Sequence, residues 1–366
     1  MAFNNIYKRK KVLITGNTGF KGSWLSVWLD ILGAEVYGYS SNIPTKPSMF
    51  EILDLEKKVR HHWGDVRDKQ ELNQYIQQIK PDFIFHLAAQ ATVSQAFKEP
   101  FETVTTNVVG TASVLESMLN ITWKCTCVLI TSDKVYDNMD WTWGYRENDK
   151  LGGKDIYSGS KGAAELIINS YIHSFFYQLP HLKMGIARAG NVIGGGDWAQ
   201  DRIVADCVRA LAGGDVVEIR YPKATRPWQH VLEPLCGYLT LGQYLHEGLV
   251  ETGEAFNFGP QAKQPKSVLD IAHDLIKAWG LDADKYVKSV DEISFNEAII
   301  LKLNCDKAYT HLHWYSTLAY SQSIRMIMDW YMAYYVNKTE DMYQLTANQI
   351  NEYISEAKNH NQNLSN

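Results

Sequence analysis

Several features that mark other classes of protein are missing from this sequence. No uninterrupted apolar stretch reaches membrane-spanning length, and the basic run Lys8 to Lys11 precedes an apolar run too short for a secretory leader. The formal net charge of −5 disfavours a general nucleic-acid binder, although it leaves room for a local cationic pocket. We therefore expect a globular cytoplasmic protein with no membrane or nucleic-acid partner.

Cysteine is also scarce, with five residues at scattered positions. Cys125 and Cys127 share one face of a predicted strand, but no second pair stands at metal-ligand spacing. We interpret the cysteines as reduced structural thiols, which is typical of the cytoplasm, and expect no metal site.

What the sequence does contain is an alternation of short apolar runs and segments of helical spacing. The apolar runs read as buried strands, and they end near Gly16, Ala88, Ser132 and Asn191. Alternation of this kind predicts a Rossmann-type doubly wound parallel sheet with helices on both faces, an α/β fold. Because chemistry collects at the carboxyl ends of parallel strands, we expect these four positions at one edge.

A glycine-rich loop, Thr15 to Gly22, lies between the first predicted strand and the first helix. Its spacing is Gly-x-x-Gly-x-x-Gly, which permits a tight turn, close approach of a pyrophosphate and close helix packing. The helix amino terminus supplies free N–H groups and partial positive charge. This setting predicts a dinucleotide site.

The end of the second strand departs from the usual dinucleotide pattern. A carboxylate for the adenosine ribose is expected there, about 20 residues on, but the chain has Ser40-Ser41-Asn42. No arginine stands there for a 2′-phosphate, so NAD is favoured over NADP. Asp65, which precedes Val66 after the third strand, either contacts adenine or caps the next helix, and the two readings are equal.

Residues 131–161 carry the groups that can react. Tyr157 and Lys161 stand at i and i+4, so a helix places them on one face, and a nearby ammonium lowers the pKa of a phenol. Ser132, Asp133 and Lys134 follow a buried strand and can move protons at a second carbon. Together they suggest redox chemistry combined with elimination.

From Thr15 to about Asp329 the chain resembles the extended short-chain dehydrogenases/reductases. The residues that carry the resemblance are Thr15–Gly22, His86–Gln90, Thr106-Asn107, Tyr157–Lys161, Arg188–Val192, Arg226–Val231, Leu301–Asn304, Lys307-Ala308 and His313-Trp314. Within that family, Thr131–Tyr136 is similar to the nucleotide-sugar 4,6-dehydratases. Lys134, where a glutamate is usual, resembles the branch that acts on CDP-glucose.

The resemblance implies a reaction with bound NAD on a CDP-linked glucose. Tyr157 would take the proton of the 4-hydroxyl, Lys161 would bind the nicotinamide ribose, and Ser132 would hydrogen-bond the same oxygen. Asp133 would protonate the hydroxyl that leaves C6. Lys134 is either the base at C5, a cation that stabilises the enolate, or an ordering residue that pairs with an acid.

The resemblance also implies two sets of contacts. The cofactor would contact Gly16, Thr18, Gly19, Phe20, Gly22, Ser40, Asp65, Val66, Leu87, Ala88, Ala89, Asn107, Tyr157 and Lys161. The substrate would contact Gln90, Ser132, Asn191, Arg202, Arg220 and Arg226. Arginine suits a diphosphate, and Arg226 is favoured, whereas Arg202 and Arg220 are equally well explained as solvated surface residues. His230 reads as structural.

The predicted domains are discontinuous in sequence. A dinucleotide-binding domain comprises residues 1–190 and about 231–253, and a smaller α/β nucleotide-sugar domain comprises about 191–230 and 254–336. Residues 337–366 form a polar, partly helical extension, which we expect to be peripheral.

Two broad apolar helices indicate a homodimer built through a four-helix bundle, as in relatives. Their apolar residues are Phe101, Val104, Val108, Ile167, Ile168, Tyr171 and Phe175. The alternative is that these helices cover only their own sheet. Three other functions stay open: a nucleotide-sugar 4-epimerase on the same scaffold, a 4,6-dehydratase for another nucleotide-linked hexose, and a nucleotide-sensing protein without chemistry.

Overall fold

A computed structural model of the protein describes residues 2–260, 266–290 and 301–359. Its centre is a sheet of seven parallel strands in the order β11-β6-β5-β4-β1-β2-β3. The strands are β1 Lys11–Thr15, β2 Glu35–Ser40, β3 Arg60–Trp63, β4 Phe83–His86, β5 Cys125–Ile130, β6 Leu182–Ala189, β7 Val192–Ile193, β8 Val217–Ile219, β9 Thr225–Arg226, β10 Gln229–His230, β11 Ala255–Phe258, β12 Lys266–Ser267 and β13 Val287–Ser289. The short strands form the pairs β10-β7, β12-β9 and β13-β8.

The helices that connect and cover these strands are α1 Phe20–Ile31, α2 Met49–Ile52, α3 Leu55–Lys58, α4 Lys69–Ile79, α5 Val93–Lys98, α6 Pro100–Val104, α7 Gly110–Leu119, α8 Ile156–Ser174, α9 Ile203–Gly213, α10 Leu232–Glu247, α11 Val268–Ala278, α12 Asp306–Leu312, α13 Tyr320–Tyr335 and α14 Met342–Asn359. Within the described ranges, no helix has both the length and the apolarity to cross a membrane.

The strand order reverses at β1, which pairs with β2 on one side and β4 on the other. Thr15 at the end of β1 is in register with Tyr39 and with His86. In open sheets of this kind, ligands bind in the crevice outside the carboxyl ends of the strands at such a reversal. The predicted Rossmann-type α/β fold is confirmed.

The core lies on both faces of the sheet. The strands read as near-continuous apolar runs because both faces are covered, and Val12, Leu13 and Ile14 are fully buried. On one face, α1 buries Trp24 and Trp28 at helical spacing. This packing fixes the position at which the loop between β1 and α1 leaves the sheet.

A π-helical turn, Thr105–Val109, separates α6 from α7, in a segment whose apolar spacing reads as one continuous helix. Extra residues in a helical turn are common at functional sites. Here the turn carries Asn107, which is buried and directed toward the neighbouring loop and helix. The sequence pattern alone gave no sign of the turn, because its apolar spacing is unbroken.

Two elements lie elsewhere than expected. The strand β11 falls in the range predicted for the second domain, yet it pairs with β6 and completes the central sheet, since its side chains are mostly buried. The C-terminal segment is not peripheral: α14 buries Ile350, Tyr353 and Ala357 completely and packs on α1. The prediction followed the polar composition of this segment and overlooked its apolar residues at helical spacing. The remaining domain division stays a prediction.

Candidate active site

The glycine loop makes a tight connection between β1 and α1. An added Cβ at Gly22 would lie 2.2 Å from the carbonyl oxygen of Gly16, so the first turn of α1 approaches the loop more closely than any side chain allows. Gly19 stands at the amino-terminal cap of α1 without a capping side chain. The free N–H groups there suit a pyrophosphate, so the loop fits the phosphates of a dinucleotide.

Polar side chains occupy the end of β2, where a ribose-binding carboxylate is usual. The Ser40 hydroxyl donates to Asn17 Oδ1 at 2.8 Å, and Thr18 Oγ1 donates to the carbonyl of Asn42 at 2.7 Å. The Asn17 amide nitrogen lies 3.1 Å from His61 Nδ1, and burial lowers the pKa of His61 to about 4. The missing carboxylate is thus replaced by a network of neutral groups.

Asp65 lies in the loop after β3, where its carboxylate binds Arg67. It accepts the Arg67 backbone N–H at 2.8 Å and the guanidinium at 2.6 Å. Hydrogen bonds from Arg67 lower the pKa of Asp65. The reading of Asp65 as a helix cap is wrong, because Asp68 caps α4. Val66 is buried against α7, at Gly110.

The loop after β4 is tied to the strands beside it. The backbone N–H groups of Leu87 and Ala88 donate to Thr15, at 3.1 and 3.2 Å. Asn107 Oδ1 accepts the N–H of Gln90 at 2.8 Å, and its amide donates to Ser160 at 2.9 Å. Asn107 thus supports the backbone of this loop, and its contact with the cofactor stays a prediction. These bonds place Leu87, Ala88 and Ala89 beside the glycine loop.

Gln90, predicted to contact substrate, uses its side chain within its own loop. Its amide nitrogen donates to the carbonyl of Thr92, and its Oε1 accepts the Thr92 N–H at 2.7 Å. Asn107 binds the backbone of Gln90 twice, because its Oδ1 accepts the Gln90 N–H and its amide donates to the Gln90 carbonyl. Any contact of this side chain with a substrate would therefore replace a local pair.

Tyr157 and Lys161 lie in the first turns of α8, and both are buried. The helix is capped by Asp155, whose carboxylate accepts the N–H of Ser158 at 3.0 Å. The Ser132 hydroxyl donates to Asp133 Oδ1 at 2.9 Å and lies close enough to the Tyr157 phenol to lower its pKa. Since a hydroxyl has one proton, Tyr157, Ser132 and Asp133 form a directed chain.

One electrostatic prediction is wrong. Burial raises the pKa of Tyr157 above its usual value, and the neighbouring Ser132 hydroxyl and the charge of Arg202 offset this only in part. Lys161 is not among the main causes, although it was predicted to lower the pKa of the phenol. Burial lowers the pKa of Lys161 itself to about 8, because the ammonium is desolvated beside the phenol.

Asp133 lies at the centre of the strand ends. Its carboxylate packs on Gly190, where an added Cβ would lie 2.0 Å from Asp133 Cγ, and its Oδ2 accepts from Asn191 Nδ2 at 3.3 Å. Asn191 has a positive φ of 53°, a left-handed conformation that asparagine tolerates. Lys134 is half-buried, and its backbone N–H donates to Ser132 Oγ at 3.2 Å.

A buried ion pair stabilises the loop that contains Ser132, Asp133 and Lys134. Arg188 on β6 binds Glu165 on α8, and both are almost fully buried. Thr131 donates to Glu165 at 3.0 Å, and Arg188 donates to the Tyr136 hydroxyl at 2.6 Å. The pair therefore binds the residues on each side of 132–135. It was not predicted as part of the site.

Lys21 is a residue of the site that sequence reasoning missed. It follows Phe20 in the glycine loop, and its amine donates to the Tyr238 hydroxyl of α10 at 3.3 Å. Burial lowers the pKa of Lys21 to about 7, helped by Arg202 and Lys161 and opposed by Asp133. The sequence signal for this residue was a lysine among the glycines of the loop, but only the spacing of the glycines was interpreted.

The three candidate arginines differ in position. Arg202 lies 3.7 Å from Asp197 and is close enough to Tyr157 to affect its pKa. Arg226 is buried and donates to the Thr225 carbonyl at 3.0 Å. Arg220 pairs with Asp201 at 2.6 Å, a contact between partly exposed side chains. His230 is fully buried beside Trp24, as a structural histidine would be.

The sequence profile of one protein family, described as GDP-mannose 4,6 dehydratase, matches residues 13–327. The chain belongs to this family. The match covers the glycine loop, the 132–134 loop and the first turns of α8. The family therefore confirms the predicted resemblance to nucleotide-sugar dehydratases of the extended short-chain dehydrogenase/reductase type.

Among relatives of this dehydratase family, the CDP-glucose 4,6-dehydratase of Salmonella typhimurium is 42% identical over 359 residues, which is 97% of this chain and 99% of the relative. A dTDP-glucose 4,6-dehydratase of Streptomyces venezuelae, solved with NAD and TYD bound, superposes with a TM-score of 0.76 at 21% identity and covers 89% of this chain and 99% of its own. The UDP-glucose 4-epimerase of Thermotoga maritima, solved with UDP-glucose, gives 0.75 at 20% identity, with 90% and 99% covered. Because dehydratase and epimerase superpose equally well, the two likenesses show the fold alone.

Proposed function

We propose that this protein is an NAD-dependent CDP-D-glucose 4,6-dehydratase, which converts CDP-D-glucose to CDP-4-keto-6-deoxy-D-glucose and water. The observation that carries the proposal is the chain Tyr157–Ser132–Asp133, which joins a phenol to a carboxylate at the ends of neighbouring strands. An epimerase needs no such carboxylate. The near-full-length similarity to a CDP-glucose 4,6-dehydratase supports the choice of substrate.

The residues present fit NAD. The close approach at Gly22 and the uncapped amino terminus of α1 leave a cradle for the pyrophosphate. Ser40 ends β2 and Asp65 follows β3, which supports both as contacts of the adenosine. When bound there, NAD supplies the acceptor for a hydride from C4 and the donor of a hydride to C6. Lys161, next to Tyr157 on α8, would bind the nicotinamide ribose.

In the first half of the reaction, Tyr157 takes the proton of the 4-hydroxyl as C4 is oxidised to a ketone. Burial keeps the phenol protonated at rest, so that proton has to pass through Ser132 to Asp133 before the phenolate can take the proton of the 4-hydroxyl. Ser132 lies between the phenol and Asp133 and donates to whichever of the two is charged. Such positioned proton transfer contributes about 10²- to 10⁴-fold to a rate.

In the second half, the C4 ketone makes the C5 hydrogen acidic, a base, for which Lys134 is the candidate, takes that proton, and water leaves from C6. Asp133 gives its proton to the departing hydroxyl, so the C6–O bond breaks and a C5–C6 double bond forms. The double bond then takes up a hydride at C6 and a proton at C5. Asn191 and Gly190 fix the Asp133 carboxylate during these steps, because both contact it directly.

Lys134 is proposed to act at the C5 carbon of the sugar. Two of its earlier readings remain, as the base in its neutral form or as a cation that stabilises the enolate. No acid among the described residues pairs with its amine, which gives the ordering role no support. The half-buried position leaves the amine free to approach a substrate.

The diphosphate of the substrate is proposed to contact Asn191, Arg202 and Arg226. Asn191 and Arg202 border Asp133 and Tyr157, and Arg226 precedes Gln229 in the segment that faces Gly190. Guanidinium groups bind phosphate oxygens in pairs, which suits a diphosphate. Arg220 stays a weaker candidate because Asp201 already binds it.

The test is turnover of CDP-glucose by the purified protein with catalytic NAD, with dTDP-, UDP- and GDP-glucose in parallel. We expect a 4-keto-6-deoxy sugar from CDP-glucose at the highest kcat/KM. Recovery of only the C4 epimer would establish the epimerase instead. Tight NAD binding without turnover of any nucleotide sugar would leave the sensing role.

Two further properties belong to this proposal. The protein is a homodimer, because α6, the π turn and α8 present apolar side chains to solvent, among them Phe101, Val104 and Leu166. Ile168, predicted on the same face, is instead buried against its own sheet. The cytoplasm is the proposed location, since all five cysteines are free thiols.

A further inference from the structure

A small cavity lies beside Asp133. The residues that line it are Asp133, Gly190, Pro227, Gln229, Gly259, Pro260, Lys302 and Leu303. Its free space is about that of a single water molecule. A cavity of this size holds water only if it offers a few polar partners, so its lining decides what occupies it.

Gln229 contributes an unsatisfied acceptor to this lining. Its amide nitrogen donates to the carbonyls of Gly190 at 3.0 Å and Phe258 at 2.9 Å. Because both partners are acceptors, they fix which end of the amide is nitrogen. Oε1 is then left without a partner, although the residue is only 2% exposed. A buried acceptor of this kind is costly unless a ligand or water satisfies it.

Lys302 contributes a donor. Its backbone carbonyl accepts the N–H of Tyr145 at 2.9 Å, and the next residue, Leu303, bridges to Tyr145. These contacts fix the backbone at the wall of the cavity. The side chain is half-buried, and no described residue accepts a hydrogen bond from its amine. The residues that line the cavity therefore include a carboxylate, an unpaired acceptor and a lysine whose amine no described residue binds.

We propose that this cavity receives the water that leaves C6, and that Gln229 and Lys302 are further residues of the elimination step. The inference rests on the proposed function. As Asp133 passes its proton to the C6 hydroxyl, the C6–O bond breaks and both electrons stay on oxygen. The new water donates one hydrogen bond to Gln229 Oε1 and accepts one from Lys302 Nζ. Its removal from C6 disfavours the reverse addition.

The first experiment separates elimination from C4 oxidation in the NAD-loaded enzyme. After rapid mixing with CDP-glucose, the absorbance of reduced nicotinamide rises with C4 oxidation and falls when C6 is reduced. Lys302→Met should leave the rise unchanged and slow the fall about tenfold, the effect of one hydrogen bond from a charged donor. Acid quenching should then recover CDP-4-keto-glucose as the accumulated intermediate.

Two variants serve as comparisons. Lys302→Arg keeps a cationic donor and should restore most of the lost rate. Lys150→Met removes an exposed lysine that pairs with Asp137 outside the cavity, and it should change neither phase. Melting temperatures of all variants with NAD bound show whether a variant is folded. A Lys302→Met enzyme that slows the rise instead, or changes neither phase, overturns the proposal.

The second measurement needs no turnover. A crystal structure of the NAD-bound enzyme at a resolution that shows waters should contain a water within hydrogen-bond distance of Gln229 Oε1. A dry cavity, or a Lys302 amine directed away from it, contradicts the proposal. Wild-type enzyme that forms no 4-keto-6-deoxy sugar refutes the proposed function and this inference with it, whereas normal turnover with an unaffected Lys302→Met refutes the inference alone.

Discussion

At the scale of single residues, Tyr157 combines a raised pKa with a hydrogen-bonded exit for its proton. Tyr157→Phe removes the proton acceptor without changing the packing of the ring. We expect C4 oxidation to fall about 10²- to 10⁴-fold while NAD binding is retained. Stopped-flow absorbance and calorimetric titration with NAD measure the two effects. Tyr177→Phe, at an exposed position, is the control, and near wild-type oxidation by Tyr157→Phe would remove the phenol from the mechanism.

Asp133 allows a sharper separation, because the bond that its acidic proton helps to break, C6–O, belongs to the second half of the reaction. Asp133→Asn keeps the size of the side chain and its contacts with Gly190, but the amide has no acidic proton to give. We expect elimination to slow at least a hundredfold, with a smaller effect on C4 oxidation. Asp137→Asn, which affects an outer pair with Lys150, is the control. Equal losses in both phases would show that Asp133 acts in C4 oxidation.

Sequence reasoning found the residues that stand at strand ends or at fixed helical spacing. Ser132 and Asp133 follow β5, and Tyr157 and Lys161 share a helix face, so local pattern sufficed to bring them together. Lys21 and Tyr238 meet only because α10 returns to the sheet from far along the chain. No local pattern encodes such a contact, and the same holds for Gln229 and Lys302.

At the scale of elements, the glycine loop tests how closely α1 has to approach β1. Gly22→Ala would place a methyl group 2.2 Å from the Gly16 carbonyl oxygen, so the loop has to open. We expect a loss of about 1–3 kcal/mol in stability and at least tenfold weaker NAD binding. Gly159→Ala has open space around its Cβ and should be neutral or stabilising. Wild-type NAD affinity in Gly22→Ala would show that the close approach is dispensable.

The same scale shows why element boundaries were harder to predict than element types. The strands of the sheet were found because buried parallel strands read as apolar runs. The π turn Thr105–Val109 escaped, since one extra residue leaves the apolar spacing of a helix intact. Helix α14 was underrated because its exposed face dominates its composition, while Tyr353 reaches inward to donate to Glu233 at 2.8 Å.

At the scale of the whole molecule, the outer face of α6 and α8 has apolar side chains that no described residue covers. Phe101 is 80% exposed and Leu166 is 55% exposed. Large exposed apolar residues that lie together mark interaction sites in soluble proteins, and a two-fold axis would let each copy cover the other. An interface of ordinary size, about 800 Å² on each partner, is compatible with two such helices.

The dimer is tested with Phe101→Glu, which places a charge in the centre of the proposed interface. Desolvating an unpaired carboxylate opposes association, so we expect the variant to be monomeric at micromolar concentrations where the wild type has the mass of two chains. Light scattering after gel filtration measures the mass. Leu249→Glu alters another exposed apolar residue, beyond the end of α10, and should leave the dimer intact. Because Tyr157 and Lys161 lie in the first turns of α8, a dimer that fixes this helix would also fix them. Phe101→Glu should therefore lower kcat more than it lowers the melting temperature of the NAD-bound chain, and a wild-type monomer with full activity would contradict both expectations.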